Sequence, residues 1–167
     1  TPLTDVGIEG SIKSKFSVLF LKTDPRARYQ GYTFFFREGF CWIDVNSTFL
    51  KARLKERCVF DVLSMSLFTT LNLPDWYYVC LINSHFISLY VDNFINNTSH
   101  FQINDARQLP VIIPSERQLN TFRDIFFTAE KIKKQQFSDE ITPKEAEELL
   151  DKIQVQLDLT VCELYAI

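Results

Sequence analysis

Three groups of residues in this 167-residue chain have the types and spacing to hold phosphates or read base edges. Lys51, Arg53, Lys55 and Arg57 recur at every second position. Side chains two apart in an extended segment share a face, so the four would form one basic stripe open to an anionic partner. The same spacing serves an edge strand that is protected by charge from pairing with another chain, and the pattern does not choose between the two uses. Arg26, Arg28, Tyr29 and Gln30 follow Asp24-Pro25, and Arg and Tyr on a loop can grip phosphates or reach bases. Asn96, Asn97, Thr98, Ser99, His100 and Gln102 make a polar run. Asn and Gln can contact adenine through two hydrogen bonds, and Ser or Thr can reach phosphates. Solvated turns and ordinary polar loops have the same composition as the last two groups.

Patterns for covalent or metal chemistry are weak. Val6-Gly-Ile-Glu-Gly and Gln30-Gly-Tyr lack the spacing of a nucleotide-binding loop. No carboxylate-x-Lys tripeptide of the nuclease kind occurs, so the usual arrangement for holding Mg²⁺ and orienting water is not written in the sequence. Cys41, Cys58, Cys80 and Cys162 form no CxxC pair, and His85 and His100 stand apart, so no zinc pattern is present. The apolar flanks of Cys41 and Cys80 read as reduced core thiols of a cytoplasmic protein. On that reading the sequons at Asn46 and at Asn96/Asn97 are chance matches. A hydrolase using a Cys–His pair is the least favoured reading, because His85 lies in an apolar helical pattern. The chain reads as a non-catalytic binding module.

The elements that must position these residues fall into a β-rich first part and a helical second part. Strands are expected over 16–22, 32–37, 40–45, 48–54 and 58–62, with Glu38-Gly39 as a turn. Val79, Ile82, Phe86 and Leu89/Tyr90 recur at helical spacing after Pro74-Asp75, which predicts one helix over 75–92. A polar loop follows at 93–99, then a strand over 100–104 and an extended segment ending in Leu109-Pro-Val-Ile-Ile-Pro114. Two helices close the chain. Ser115 to Gln118 makes a capping box for the first, and Thr142-Pro143-Lys144-Glu145 opens the second. Ser138-Asp139-Glu140 separates them. The expected fold is α+β: a twisted, mainly antiparallel β region with a packed helix over 1–114, then a helical hairpin or spacer over 115–167.

A 46% hydrophobic content with 16 Phe, 6 Tyr and 2 Trp allows a substantial core. No segment reaches the roughly 20 apolar residues of a membrane span, and the first residues do not read as a signal peptide. Without an initiator Met, the chain reads as a piece of a longer protein. Net charge is −3 but uneven. Residues 1–60 hold ten Lys/Arg against six Asp/Glu, residues 61–114 one against four, and residues 115–167 seven against eleven. The base is concentrated in the N-terminal third, which permits an anionic partner on one face.

The order of segments resembles the C-terminal specificity region of type II adenine-specific DNA methyltransferases, including the TaqI-like specificity domains. Gly39-Phe-Cys-Trp-Ile-Asp-Val resembles a "Gly, hydrophobic, Thr/Cys, Trp" strand. Cys58-Val-Phe-Asp-Val-Leu-Ser-Met-Ser-Leu-Phe resembles the strand and Ser-containing turn after it. Tyr78-Val-Cys-Leu-Ile-Asn-Ser-His-Phe-Ile-Ser resembles a "Leu-Asn-Ser-Lys" helix, with His85 where a basic residue is common. Gln102 to Pro114 resembles a "Leu-Pro-hydrophobic-x-Pro" junction leading into a capped helix. Leu159-Thr-Val-Cys-Glu-Leu-Tyr-Ala resembles a "Val-Tyr-Glu-Leu-Tyr-Gly" ending. These stretches span most of residues 31–167, and the acidic net charge departs from the pattern. The resemblance implies a target recognition domain that grips double-stranded DNA in the bacterial cytoplasm. S-adenosylmethionine and base methylation would then belong to an upstream methyltransferase domain of the same parent chain, which a nuclease domain can accompany. It does not identify base-reading residues. The alternative from another class is a protein–protein interaction module of a larger cytosolic enzyme, in which the basic stripe is incidental.

Overall fold

The computed structural model describes residues 23, 32–45, 49–58 and 64–167, and the chain divides into two units, Thr1–Phe35 and Phe36–Ile167. Of the first unit, a 3₁₀ turn at Tyr32–Phe34 is described. It stands where a strand over 32–37 is expected. Phe36, the next unit's first residue, adopts a left-handed backbone with φ of 62°, which ends any extended run there. The expected strand at 16–22 and residues 59–62 of the one at 58–62 lie outside the described residues.

The second unit holds a three-stranded antiparallel sheet of β1 (Gly39–Ile43), β2 (Ala52–Lys55) and β3 (Ser64–Leu67), in the order β2-β1-β3. Gly39 is not part of a turn but the first residue of β1, paired with Lys55. A Cβ there would lie 3.0 Å from the Leu67 carbonyl oxygen and 3.1 Å from the Phe68 ring, so the close approach of β3 requires glycine. Register sets Phe40 opposite Leu54 and Leu67, and Trp42 opposite Ala52 and Met65. Phe40, Trp42 and Ala52 thus share one core with Tyr78, Val79, Ile82, Ile87 and Phe101. Phe40 stacks on Tyr78 with ring centroids 5.3 Å apart.

The single helix expected over 75–92 is two helices, α1 (Asp75–Ile82) and α2 (His85–Tyr90), followed by a π turn at Val91–Ile95. Asn83 and Ser84 make the break. The Asn83 amide donates to the Ala52 carbonyl at 3.0 Å and its Oδ1 accepts from the Ala52 N–H at 2.6 Å, so one side chain pairs with β2 as a strand would. Ser84 Oγ donates to the Leu81 carbonyl and accepts from the Ile87 N–H, closing α1 and capping α2. Periodicity survives such a break because both helices face the same core, and so it hides the break from the sequence.

The strand expected over 100–104 is also replaced. His100 makes an isolated bridge with Val45, and Ile103–Ala106 is a short helix, α3. The Asp105 carboxylate accepts from the Gln102 N–H at 2.8 Å and so fixes the start of α3.

Both terminal helices begin at the expected caps, α4 at Glu116–Phe137 and α5 at Pro143–Tyr165. Asp139, with φ of 57°, turns the chain between them. Tyr77, Cys80 and Leu81 from the far side of α1 pack on Phe122 and Ile125 of α4 and on Leu157, Val161 and Leu164 of α5. α1 is therefore apolar all round and serves both cores. Tyr77 and Tyr165 donate to the carbonyls of Ile112 and Pro110, which tie the proline-bounded segment onto the helices.

Candidate nucleic-acid interface

Polar and apolar residues far apart in sequence meet around one open cavity of about 320 Å³. Phe49 and Leu50 line it from the segment leading into β2, Ser88 and Leu89 from α2, Val91 and Asp92 from the π turn, and residues 96–99 with Phe101 from the polar loop. The π turn shapes this end of the molecule. The Asn96 N–H reaches back five residues to the Val91 carbonyl at 2.8 Å, a wider closure than an α turn, and directs the chain into the loop.

The loop is held by its own side chains. Asn96 donates to the His100 carbonyl at 2.8 Å and to the Asp105 carboxylate at 3.0 Å, while its Oδ1 accepts from the N–H and hydroxyl of Thr98. His100 Nδ1 lies 2.9 Å from Asp44 Oδ2, and the Phe101 N–H donates to the Asp44 carbonyl at 2.8 Å. Trp42 Nε1 donates to the Phe101 carbonyl at 2.7 Å. Asn96 and His100 therefore shape the loop. Asn97 and Ser99 stand exposed at the cavity, with no side-chain hydrogen bond to another described residue. Thr98 and Gln102 are also exposed, with Thr98 committed to the turn.

The basic stripe is only partly formed. Lys51 and Arg53 are exposed and make no ion pair among the described residues. Arg57 is exposed and pairs with Glu38 at 3.1 Å. Lys55 is the departure: it is 4% exposed, donates to the Arg37 carbonyl at 2.7 Å, and lies 5.2 Å from the centre of the Phe68 ring. Alternation does put Lys55 on the sheet face of Arg53, but there it is covered, and it does not join the surface stripe. Arg26, Arg28, Tyr29 and Gln30 lie outside the described residues. Of the three groups singled out in the sequence, the 96–99 loop lines the cavity, and the basic group enters it only through its neighbours: Lys51 follows Phe49 and Leu50 in the chain and is not itself among the lining residues.

Two features were not visible in the sequence. Phe49 rests against the His85 ring at 4.3 Å between centroids, and His85 Nδ1 is held by Asp158 of α5 at 2.8 Å. Asp158 also accepts from the His85 N–H at the first turn of α2. No local signal joins residues 49, 85 and 158, because only the packing of α5 on α2 brings them together. The second is an open cleft beside β1 and β2, where Glu38, Glu56, Asp75, Arg57 and Trp76 meet. Burial, and secondarily the Glu38 charge, raise the Asp75 carboxyl above its ordinary range. Cys80 is buried and donates to the Phe122 carbonyl, and burial pushes its thiol up to about 12. A thiol so held is an inert core group. Among the described residues no three His, Cys, Asp or Glu side chains are grouped to share a metal ion, and no helix is long and apolar enough to cross a membrane.

No protein-family model matches the chain, and no curated protein matches its sequence.

Proposed function

We propose that this chain is the target recognition domain of a restriction-modification adenine DNA methyltransferase, itself non-catalytic, that grips duplex DNA for the methyltransferase domain of its parent. The observation that carries the reading is that two exposed cations, Lys51 and Arg53, unpaired among the described residues, lie on the segment that runs on from Phe49 and Leu50, which line a cavity shared with Asn97, Thr98 and Ser99. Cations fix a protein on the phosphate backbone, and short amide and hydroxyl side chains beside them suit contacts to base edges. In the parent, S-adenosylmethionine would be held upstream, and the cytoplasm is the matching compartment. The test is charge reversal. Lys51→Glu with Arg53→Glu should abolish binding to duplex DNA in a fluorescence-anisotropy titration while the circular dichroism spectrum is kept. Undiminished affinity in the folded double variant would refute the reading.

A second reading, a protein-interaction module, is favoured by one observation. Val155 and Leu159 of α5 are about 60% exposed and sit on the side of the helix away from Leu157, Val161 and Leu164. Leu159→Lys should leave DNA binding intact under the first reading and abolish partner binding under the second.

A further inference from the structure

We infer that the cavity between Phe49 and the 96–99 loop seats one unstacked nucleobase of the bound nucleic acid. The inference rests on the DNA-binding reading above and goes beyond it by naming what enters the cavity. Volume, walls and rim each point to a planar heterocycle. At about 320 Å³ the cavity lies at the small end of ligand sites, the size class of one nucleoside rather than of a peptide segment. Its walls include Phe49, Leu50, Leu89 and Val91, which suit the faces of a base. Its rim carries Asn97, Ser99 and the Asp92 carboxylate, which offer amide, hydroxyl and acceptor groups to a base edge. Phe49 is the residue best placed to stack. It is 42% exposed, and its ring is braced against the ring of His85, itself held by Asp158. A ring braced in this way needs little ordering when a base arrives. Lys51 and Arg53, exposed on the segment that runs on from Phe49 and Leu50, are the cations for the phosphate backbone.

An unpaired base avoids the energy of leaving the stack, so a site of this kind prefers it. The experiment compares the chain's Kd for a mixed-sequence duplex with its Kd for the same duplex carrying one unpaired adenosine, by fluorescence anisotropy. The bulged duplex should bind at least about fivefold more tightly, the lower end of what one base–aromatic stack contributes. Phe49→Leu keeps the apolar bulk on His85 but removes the aromatic face, and Asn97→Asp adds a carboxylate beside Asp92 at a side chain that holds nothing in the described fold. Each should bring the ratio of the two Kd values toward one. Neutralising Lys51 and Arg53 should weaken both duplexes together and keep the ratio. Equal affinity of the native chain for both duplexes would overturn the base seat and leave the DNA-binding reading standing. A preference that persists in both cavity variants would overturn the assignment to this cavity. Failure to bind either duplex would overturn both.

Discussion

Lys51 and Lys55 lie four residues apart on one segment and stand in opposite environments. Lys51 is in solvent, whereas Lys55 is buried against Phe68 with its ammonium on the Arg37 carbonyl. Alternating charge in the sequence cannot tell them apart, because the cover over Lys55 comes from Phe68, after β3. Lys55→Ala should therefore destabilise the fold by about 2 kcal/mol, since it removes a charge-assisted bond and buried packing. Lys51→Ala should leave stability within about 0.5 kcal/mol. Urea titration of the two variants decides it, and equal stability would contradict the assignment of Lys55 to the interior. Asp75 carries a pH signature. Burial first, and the Glu38 charge second, raise its folded pKa above the unfolded value. Its ionised form is thus less favourable in the folded chain, and the fold gains relative stability as pH falls through the raised pKa. Asp75→Asn should then be more stable than the native chain at neutral pH, with the difference shrinking in mild acid. A difference that grows in acid would show the opposite shift.

At the scale of elements, capping chemistry was the most legible part of the sequence. Ser115 with Gln118, and Thr142 with Pro143 and Glu145, sit at the first turns of α4 and α5 as their spacing predicts, because a cap is decided by residues within four positions of each other. Elements decided by distant partners were not legible. Residues 32–34 are rich in β-formers yet form a 3₁₀ turn, and residues 103–106 form a helix started by the Asp105 carboxylate. The break between α1 and α2 was hidden for the same reason: Asn83 is spent on the Ala52 backbone, 31 residues away. Ser84 is fully buried at that break and serves both helices. Ser84→Ala should cost about 1–2 kcal/mol by thermal or urea unfolding, the range of a missing cap together with a buried carbonyl left unpaired. A cost near zero would mean that the α1–α2 joint is held by packing alone.

For the whole molecule, the α+β class and the C-terminal pair of helices followed from composition and periodicity, but the meeting of the basic segment with the polar loop did not. That meeting depends on Trp42, Asp44 and the π turn, which bring residues 96–101 back beside the end of β1 and the start of β2. A chain of net charge −3 can still present a cationic edge, because Asp/Glu outnumber Lys/Arg in residues 61–167 while Lys51 and Arg53 stay exposed on the segment that follows Phe49 and Leu50. The most direct test of the central claim is the salt dependence of the chain's affinity for duplex DNA, measured by anisotropy beside Lys51→Ala and Arg53→Ala. Log affinity should fall linearly with log salt concentration, and each substitution should reduce the slope by about 0.9, the signature of one fewer phosphate neutralised. Binding that ignores salt, or slopes unchanged in both variants, would contradict a phosphate-gripping edge at Lys51 and Arg53.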